Sequence, residues 1–393
     1  MRLPLERTHP MRSAPDLLML QRTGPIHAVQ TRLGHPAWLV TGYDLVRALL
    51  DDDRLGRCHP EPEKASRNSD AAILSQMLDG YDTEQADHRR LRALLQPHFS
   101  PRRMRALRGR VEELTAGLLD EMAQAGPPTD LNTALALPLP IAVICELLGV
   151  PFDDREQFRA WTQAVGDMAD GARSQAALVA LYEYGRRLVA RKRAEGLTDL
   201  DVEEMDVIGR LAVTDGVTDD EAAQIGMQLL FAGHETTVVA LGKGVLWLMT
   251  DRPQWEALVD DPGLIDDAVE ELLRAQSHGG DGLARYARTD LDVAGVPVKA
   301  GDLLLLDLGA ANHDGSAFED PDRLDVTRGM NGHLSFGHGS RYCLGAPLAR
   351  IELQVALTQL VTRFPTLRLD AEVEELTFNT TVTGGLISLP IAW

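Results

Sequence analysis

The segment whose residue types could most directly do chemistry is a cysteine framed by glycines. Residues 336–345 have the sequence Phe-Gly-His-Gly-Ser-Arg-Tyr-Cys-Leu-Gly, and a helical pattern over residues 344–360 follows them. Gly337 and Gly339 permit backbone turns that are closed to other residues, so the segment is predicted to bend into a tight loop. Cys343 then falls at the start of the helix, where free backbone N–H groups and the helix dipole stabilise a thiolate. We therefore expect the pKa of Cys343 to be lowered.

A single thiolate in apolar surroundings is compatible with several kinds of site. A catalytic nucleophile needs a histidine partner, and no histidine other than His338 stands close to Cys343 in the sequence. A zinc ion needs several thiolate or imidazole ligands at close spacing, and none are present here. Haem iron needs one axial thiolate, which pushes electron density towards O–O cleavage. A buried structural cysteine is the ordinary alternative, and the glycine-framed setting argues against it.

A second unusual segment lies in the middle of a long predicted helix. Thr218 and Glu221 have the spacing of a capping box, and the helical pattern that follows ends near Thr250, before the sequence Asp-Arg-Pro. Roughly 32 residues give a helix of about 48 Å, long enough to cross a domain. Residues 232–237, Ala-Gly-His-Glu-Thr-Thr, are poor choices for a buried helix interior. Such a violation of local preferences indicates function, with a tolerated polar patch as the alternative.

These two segments resemble the signatures of the cytochrome P450 superfamily. The loop matches the haem-binding pattern of Phe, two residues, Gly, three residues, Cys, one residue and Gly at every fixed position. Residues 232–237 match the oxygen-activation pattern of Ala or Gly, Gly, any residue, Asp or Glu, Thr and Thr. The resemblance implies a mainly α fold with a small β region, a long central helix across the haem, and a single domain over residues 1–393.

The resemblance also implies roles for individual residues around haem b (iron protoporphyrin IX). Cys343 would be the axial ligand of the iron. Thr236 would hydrogen-bond dioxygen and Glu235 would relay protons; Glu in place of the more usual Asp is a common variant. The remaining signature positions assigned to cofactor binding are Ala232, Gly233, Phe336, Gly337 and Gly345. His234 is predicted to point away from the pocket, as a core or interhelical histidine.

Five further residues would bind the two haem propionates by the same resemblance. His88 and Arg92 are spaced i, i+4 and therefore share one face of a helix. Arg285 matches a second propionate-binding arginine of the family, with an exposed strand arginine as the alternative. His333 stands just before the cysteine loop and Arg341 stands within it. Position 341 is His in many bacterial relatives, and Arg can bind a carboxylate with two hydrogen bonds.

The segment from His88 to Arg110 is basic in a chain that is otherwise acidic. It has no acidic residue and eight arginines, at positions 89, 90, 92, 102, 103, 105, 108 and 110. A solvated helix face is the alternative to a functional surface. The resemblance implies a positive surface near the cofactor, towards which an acidic electron-donor protein is steered. Because the sequence has no flavin or nicotinamide fingerprint, electrons from NAD(P)H would arrive through a ferredoxin and its reductase.

Several segments are expected to position the site. A helix over residues 264–276 carries Glu271 and Arg274 at i, i+3. In the resembled family this pair is buried and completed by a further arginine, for which Arg323 is the candidate. Strands are predicted over residues 283–298, with a turn near Gly295, and over the apolar residues 303–306.

The surroundings of the substrate are less defined by the sequence. The resemblance places two helices, within residues 158–195, over the mouth of the pocket. Residues 277–282 are Ser-His-Gly-Gly-Asp-Gly, where many relatives have prolines and apolar residues beside the haem. The turn at residues 380–383 would touch the substrate by the same resemblance. The sequence therefore leaves the shape of the pocket and the identity of the substrate open.

Composition excludes several classes of partner. The net charge of −20 and the pI near 4.9 argue against nucleic acid and against an anionic membrane surface. The most apolar stretch, residues 134–150, is broken by two prolines and a glutamate, so it is not predicted to span a membrane. Cys58, Cys145 and Cys343 are too widely spaced for a disulfide framework, which favours a reducing cytoplasm. We expect a cytoplasmic monomer.

The sequence thus predicts a haem-thiolate monooxygenase. It would activate O2 to hydroxylate, epoxidise or oxidatively couple a small organic substrate. The resemblance to soluble bacterial members of the family further implies a role in secondary metabolism. One rival hypothesis is a haem-binding sensor or carrier without turnover, which would not need Glu235 and Thr236. The other is a peroxide-driven enzyme, a class that usually lacks such an acid–alcohol pair.

Overall fold

The computed structural model describes the chain apart from residues 10, 72, 73, 75–77, 168, 169, 196–204, 277–281, 330, 331, 380 and 382. The glycine-rich segment expected beside the pocket therefore lies outside the described residues, except for Gly282. Of the turn expected to touch the substrate, Thr381 and Thr383 are described.

Helices make up most of the described chain, as the sequence predicts. In the first half they are α1 (Pro15–Thr23), α2 (Tyr43–Leu50), α3 (Glu84–Leu95), α4 (Pro101–Ala125), α5 (Pro138–Leu148), α6 (Arg155–Val165) and α7 (Gly171–Ala194). In the second half they are α8 (Val207–Val213), α9 (Asp219–Thr250), α10 (Arg252–Asp260), α11 (Ile265–Ala275), α12 (Leu308–Asn312) and α13 (Ala346–Arg363). The two helices expected within residues 158–195 are α6 and α7.

The strands of the described residues form three small sheets. They are β1 (Ile26–Gln30), β2 (Pro36–Val40), β3 (Leu55–Gly56), β4 (Thr129–Asp130), β5 (Leu283–Ala287), β6 (Leu291–Val293), β7 (Val296–Val298), β8 (Leu303–Leu306), β9 (Arg368–Leu369) and β10 (Pro390–Ala392). The sheet orders are β1-β2-β8-β5-β3, β4-β10-β9 and β6-β7. All four leucines of β8 are buried, which explains its unbroken apolar sequence.

The long helix α9 has the bounds that its local signals predict. The Thr218 hydroxyl accepts a hydrogen bond from the N–H of Glu221, at 3.1 Å, and so caps the first turn. The helix runs for 32 residues and packs mainly against α7 and α5. At Gly233 an added Cβ would stand 2.7 Å from Cδ1 of Ile144 in α5. Gly233 therefore permits the close approach of α5 to α9.

The pair Glu271–Arg274 is buried and bidentate, but Arg323 does not complete it. Arg274 donates from Nε and Nη2 to the two carboxylate oxygens, each at 2.8 Å, and neither side chain is exposed. The third arginine is Arg328, whose Nε lies 3.1 Å from Glu271. Arg323 instead pairs with Asp325, 2.7 Å away, on the exposed side. The reason is local: Asp325 donates its N–H to Glu271, and the turn that follows brings Arg328 back to the carboxylate.

The apolar stretch that includes α5 belongs to the interior of the protein. Helix α5 is only 11 residues long, and it packs against α9 and α4 within the largest cluster of buried apolar side chains. Within the described ranges, no helix has both the length and the apolar character that crossing a bilayer requires.

Candidate cofactor site

The cysteine loop has the geometry that its glycines predict. Gly337 and Gly339 have φ angles of +73° and +68°, values that favour glycine. The N–H of Cys343 donates to the carbonyl of Phe336 at 2.9 Å, which closes the loop. Helix α13 begins two residues later than expected, at Ala346, with Gly345 as its N-cap. Gly345 itself has an ordinary negative φ, and an added Cβ would make a normal contact, 3.9 Å from the Cys343 sulfur.

The expected lowering of the Cys343 pKa is wrong for the protein without its cofactor. Burial raises the pKa of this thiol, and the backbone N–H groups of Gly345 and Ala346 only partly offset that effect. The positive charges of Arg92 and Arg350 act in the same direction as the N–H groups. The residue still has exposed surface, so the sulfur is crowded on some sides and open on another. A cation bound at the sulfur would deprotonate the thiol outright.

A second ionic network lies behind the loop. Arg350 of α13 donates two hydrogen bonds to Glu270 of α11, at 2.6 and 2.8 Å, and one to the hydroxyl of Tyr342 at 3.1 Å. Burial would raise the pKa of Glu270, but the hydrogen bonds from Arg350 and His333 outweigh it and lower the pKa to about 2. The guanidinium of Arg350 also lies over the ring of Phe336. The Cys343 loop is therefore fixed to α11 and α13.

His333 belongs to this second network. Its Nε2 lies 3.3 Å from the Glu270 carboxylate, and its Nδ1 accepts the N–H of Ser335 at 3.2 Å. Its ring stands 5.8 Å from that of Phe336. The structure thus places His333 against Glu270, apart from the other four residues expected at the propionates.

Those four residues, His88, Arg92, Arg285 and Arg341, converge on one positively charged cluster. Arg92 donates to the carbonyl of Tyr342 at 2.7 Å, one residue before Cys343. Arg285 is only 3% exposed, and it forms no ion pair with any residue that the structure describes. Burial, followed by the charges of Arg57 and Arg341, lowers its pKa to about 9.

His88 contributes a hydrogen-bonding group and no charge at neutral pH. Burial lowers its pKa to about 4, and the neighbouring positive charges of Arg341, Arg57 and Arg92 act in the same direction. A neutral imidazole can still donate one N–H to a carboxylate. The spacing of His88 and Arg92 on α3 is as predicted.

Sequence reasoning missed two members of the cluster. Glu84, the first residue of α3, is buried and forms an ion pair with Arg341 at 2.6 Å. Its spacing of four residues before His88 was a usable signal, because it places both side chains on one helix face. Arg57 follows β3 in a segment without periodicity, and the sequence offered no sign of its position.

This arrangement fits a haem. Among the described residues no group of three or more histidines, cysteines, aspartates and glutamates could hold a metal ion by itself. Cys343 supplies one sulfur, as a porphyrin iron requires, with N–H donors of Gly345 and Ala346 directed at it. The buried guanidinium of Arg285 donates to the Ala284 carbonyl at 2.8 Å but has no carboxylate partner in the described part of the chain, and the propionates of haem would supply that negative charge.

Residues 232–237 of α9 face two directions. Ala232 and Thr236 are exposed, and the Thr236 hydroxyl donates to the Ala232 carbonyl at 2.7 Å. Thr237 is buried. The helix is continuous through these residues, so this hydroxyl-to-carbonyl bond is accommodated without a break in α9.

Glu235 is buried beside His234. Burial raises the pKa of Glu235 to about 7, and its Oε1 has no hydrogen-bond partner among the described residues. His234 is fully buried, and its Nδ1 lies 3.0 Å from the hydroxyl of Thr162, which confirms it as a core histidine. A second buried acid, Glu352 of α13, was not anticipated; burial raises its pKa well above the usual range.

Comparisons with known proteins agree with this site. The family described as Cytochrome P450 matches residues 251–391. The chain is 39% identical to "Pentalenolactone synthase" of Streptomyces exfoliatus, over 100% of the chain and 99% of the relative. It is also 39% identical to "Cytochrome P450 monooxygenase PikC" of Streptomyces venezuelae, over 96% of the chain and 90% of the relative.

A solved structure extends the similarity to the whole fold. The LnmA cytochrome P450 hydroxylase from the leinamycin pathway of Streptomyces atroolivaceus superposes with a TM-score of 0.88 at 39% identity, covering 100% of both chains. Three findings lead to one conclusion. Cys343 stands in a glycine-framed loop, the long helix α9 carries an acid–alcohol pair, and a relative matches the full length of the chain at 39% identity. The chain belongs to the cytochrome P450 family, and it is a haem-thiolate monooxygenase with haem b as its cofactor.

Proposed function

We propose that the protein hydroxylates, epoxidises or oxidatively couples a small organic substrate in secondary metabolism. The names of its relatives support this: they include "Mycinamicin IV hydroxylase/epoxidase" and "Nocardicin C N-oxygenase". The single observation that carries the assignment of the site is the loop of Cys343, closed by its N–H on the Phe336 carbonyl. It presents one sulfur next to a cluster of arginines.

Haem would supply the oxygen activation, and the sulfur of Cys343 would hold its iron. The chain's own residues hold the cofactor and handle protons. Arg92, Arg285 and Arg341 provide positive charge for the propionates, and neutral His88 provides a hydrogen bond. Arg92 also fixes the loop through the carbonyl of Tyr342.

Glu235 is the proton-transfer group of this proposal. With a pKa of about 7, its carboxyl group is present in both protonation states at neutral pH, as a relay requires. Thr236 donates its own proton to the Ala232 carbonyl, so its oxygen is left free to accept a hydrogen bond. Its exposed position allows the hydroxyl to orient water or dioxygen while Glu235 holds a proton in a dry interior.

A ferredoxin is the electron donor that the surface favours. Much of the basic segment is neutralised: Arg90 pairs with Glu221, and Arg110 with Glu146. Arg89 and Arg105 are exposed, and neither forms an ion pair with the described part of the chain. This leaves a smaller positive surface than the sequence suggested, and an acidic ferredoxin complements it. None of the three cysteines forms a disulfide within the described residues, which supports a cytoplasmic location.

Carbon monoxide difference spectroscopy tests the proposal. The purified, reduced protein should give the Soret band of a thiolate ligand, and Cys343→Ser should lose it. Cys145→Ala, which removes a buried thiol elsewhere in the core, is the matched control and should keep the band. A wild-type protein that binds no haem, or binds it through nitrogen, would overturn the assignment.

A further inference from the structure

We propose that Arg57 is a further ligand of a haem propionate, and that Glu84 is the positioning residue that holds Arg57 and Arg341 at the site. The inference rests on the proposed function and adds two residues to it. Neither stands in the motifs by which the chain resembles its family.

Glu84 joins four segments of the chain through one buried carboxylate. Its Oε1 accepts the backbone N–H of Arg57 at 2.8 Å and Nη2 of Arg341 at 2.6 Å. Its Oε2 accepts the N–H of Cys58 at 3.2 Å and Nη1 of Arg288 at 3.2 Å. The start of α3 is thereby connected to the residues after β3, to the residue after β5 and to the cysteine loop. This fixes the backbone of Arg57 relative to Arg341.

The guanidinium of Arg57 is not used by the described part of the chain. It forms no ion pair and no hydrogen bond there, although the residue is half-buried. Arg288, another arginine at Glu84, differs: it donates to the carbonyl of Tyr81 at 2.7 Å, and its guanidinium carbon lies 3.9 Å from the centre of the Tyr81 ring. The guanidinium N–H groups of Arg57 are therefore available to a ligand, whereas those of Arg288 already bind Glu84 and Tyr81.

The charges around Arg57 call for an anion. Arg57 lies close enough to Arg341 for that charge to lower its pKa, after the larger effect of burial. Arg57 and Arg341 in turn lower the pKa of the buried Arg285. Among the described residues, Glu84 is the one carboxylate whose charge raises the pKa of Arg57 and of Arg285, and the same carboxylate pairs with Arg341. Like charges that are partly buried repel unless counter-ions reach them, and two propionates would provide the missing negative charge.

Three variants separate propionate binding by Arg57 from simple packing: Arg57→Gln, Arg57→Lys and a control, Arg54→Gln. Arg54 stands three residues before Arg57, is exposed, and pairs with Asp52. The holoproteins are mixed with excess apomyoglobin to measure haem loss, at low and high salt, and their reduction potentials are measured by redox titration. Losing a charge-assisted hydrogen bond to a carboxylate should speed haem loss roughly tenfold in Arg57→Gln.

The lysine variant keeps the charge and should lose haem at a rate nearer to wild type. The potential of Arg57→Gln should fall, because removing a nearby positive charge favours the ferric iron, and salt should reduce both effects. Equal rates and potentials in Arg57→Gln and wild type would overturn the inference, as would a lysine variant no better than glutamine. Wild-type protein with no thiolate-bound haem would instead overturn the proposed function itself.

Discussion

The guanidinium carbon of Arg350 lies 4.6 Å from the centre of the Phe336 ring. The same guanidinium donates two hydrogen bonds to Glu270. The side chain of Arg350 therefore contacts both a carboxylate and an aromatic ring. Phe336 opens the cysteine loop, and its carbonyl accepts the N–H of Cys343 at 2.9 Å. The position of the sulfur therefore depends on a residue seven positions further along α13.

Arg350→Gln should destabilise the folded holoprotein. It leaves Glu270 buried without its main cation and removes the contact with Phe336. We expect a loss of about 2 kcal/mol, less than the ~3–5 kcal/mol of a fully buried pair because Arg350 is partly exposed. Urea unfolding followed at the Soret band measures the loss. Arg186→Gln, which breaks an exposed pair with Asp220, should cost under about 1 kcal/mol of stability. If the two variants lose the same stability, burial does not strengthen the Arg350–Glu270 pair.

Glu235→Gln should make stability less dependent on pH. The pKa of Glu235 is about 7 in the folded protein, above its ordinary value of 4.5. As the pH rises, the unfolded chain releases this proton first, so the wild type loses stability between about pH 4.5 and 7. The variant should be more stable than wild type by about 3 kcal/mol at pH 8, with the difference disappearing below about pH 4.

Thermal or urea unfolding at several pH values measures this difference. Glu183→Gln, a change at an exposed position of α7, is the control and should follow the wild type throughout. A Glu235→Gln variant that is less stable than wild type at pH 8 would show that the carboxylate has a partner beyond the described residues.

Thr236→Ala should separate oxygen consumption from product formation. Without the hydroxyl, proton delivery loses its oriented group, and product per electron consumed should fall about tenfold or more. Thr236→Ser keeps the hydroxyl and should stay near wild type. Assays with ferredoxin, its reductase and NAD(P)H measure both quantities. Unchanged coupling in Thr236→Ala would favour a haem-binding protein without turnover, and full activity with peroxide alone would favour a peroxygenase.

What the sequence predicted well was encoded locally. Helix α9 has its expected bounds because Thr218 caps one end and Pro253 follows the other. The turns at Gly337 and Gly339 needed only glycine's conformational freedom. Features of this kind are specified within a few residues of sequence.

What the sequence could not predict depends on distant contacts. The sign of the Cys343 pKa shift is set by burial, which acts against the helix N-terminus. The choice of Arg328 over Arg323 depends on the turn that starts at Asp325. Arg57 reaches the site only because Glu84 binds its backbone from another segment. None of these contacts has a sequence period or a short motif.

Arg328→Gln should therefore cost more stability than Arg323→Gln. Arg328 is largely buried and pairs with Glu271, which has no exposed surface, whereas Arg323 is exposed and pairs with Asp325. We expect a loss of about 2 kcal/mol for the first change and under about 1 kcal/mol for the second. Urea unfolding of the two holoproteins measures both values. The opposite order would restore Arg323 as the third member of the network.

Arg105→Glu should slow electron transfer from a ferredoxin. Arg105 is exposed on α4 and forms no ion pair with the described residues, so reversing its charge weakens the attraction of an acidic donor. The second-order rate of reduction by reduced ferredoxin should fall about tenfold at low salt, and the difference should shrink as ionic strength rises. Arg22→Glu makes the same change of charge on α1, at another exposed position, and should leave the rate near that of wild type. Stopped-flow reduction under carbon monoxide measures all three proteins. If both variants slow the reaction equally, the attraction comes from overall charge and the surface around Arg105 is not the docking site.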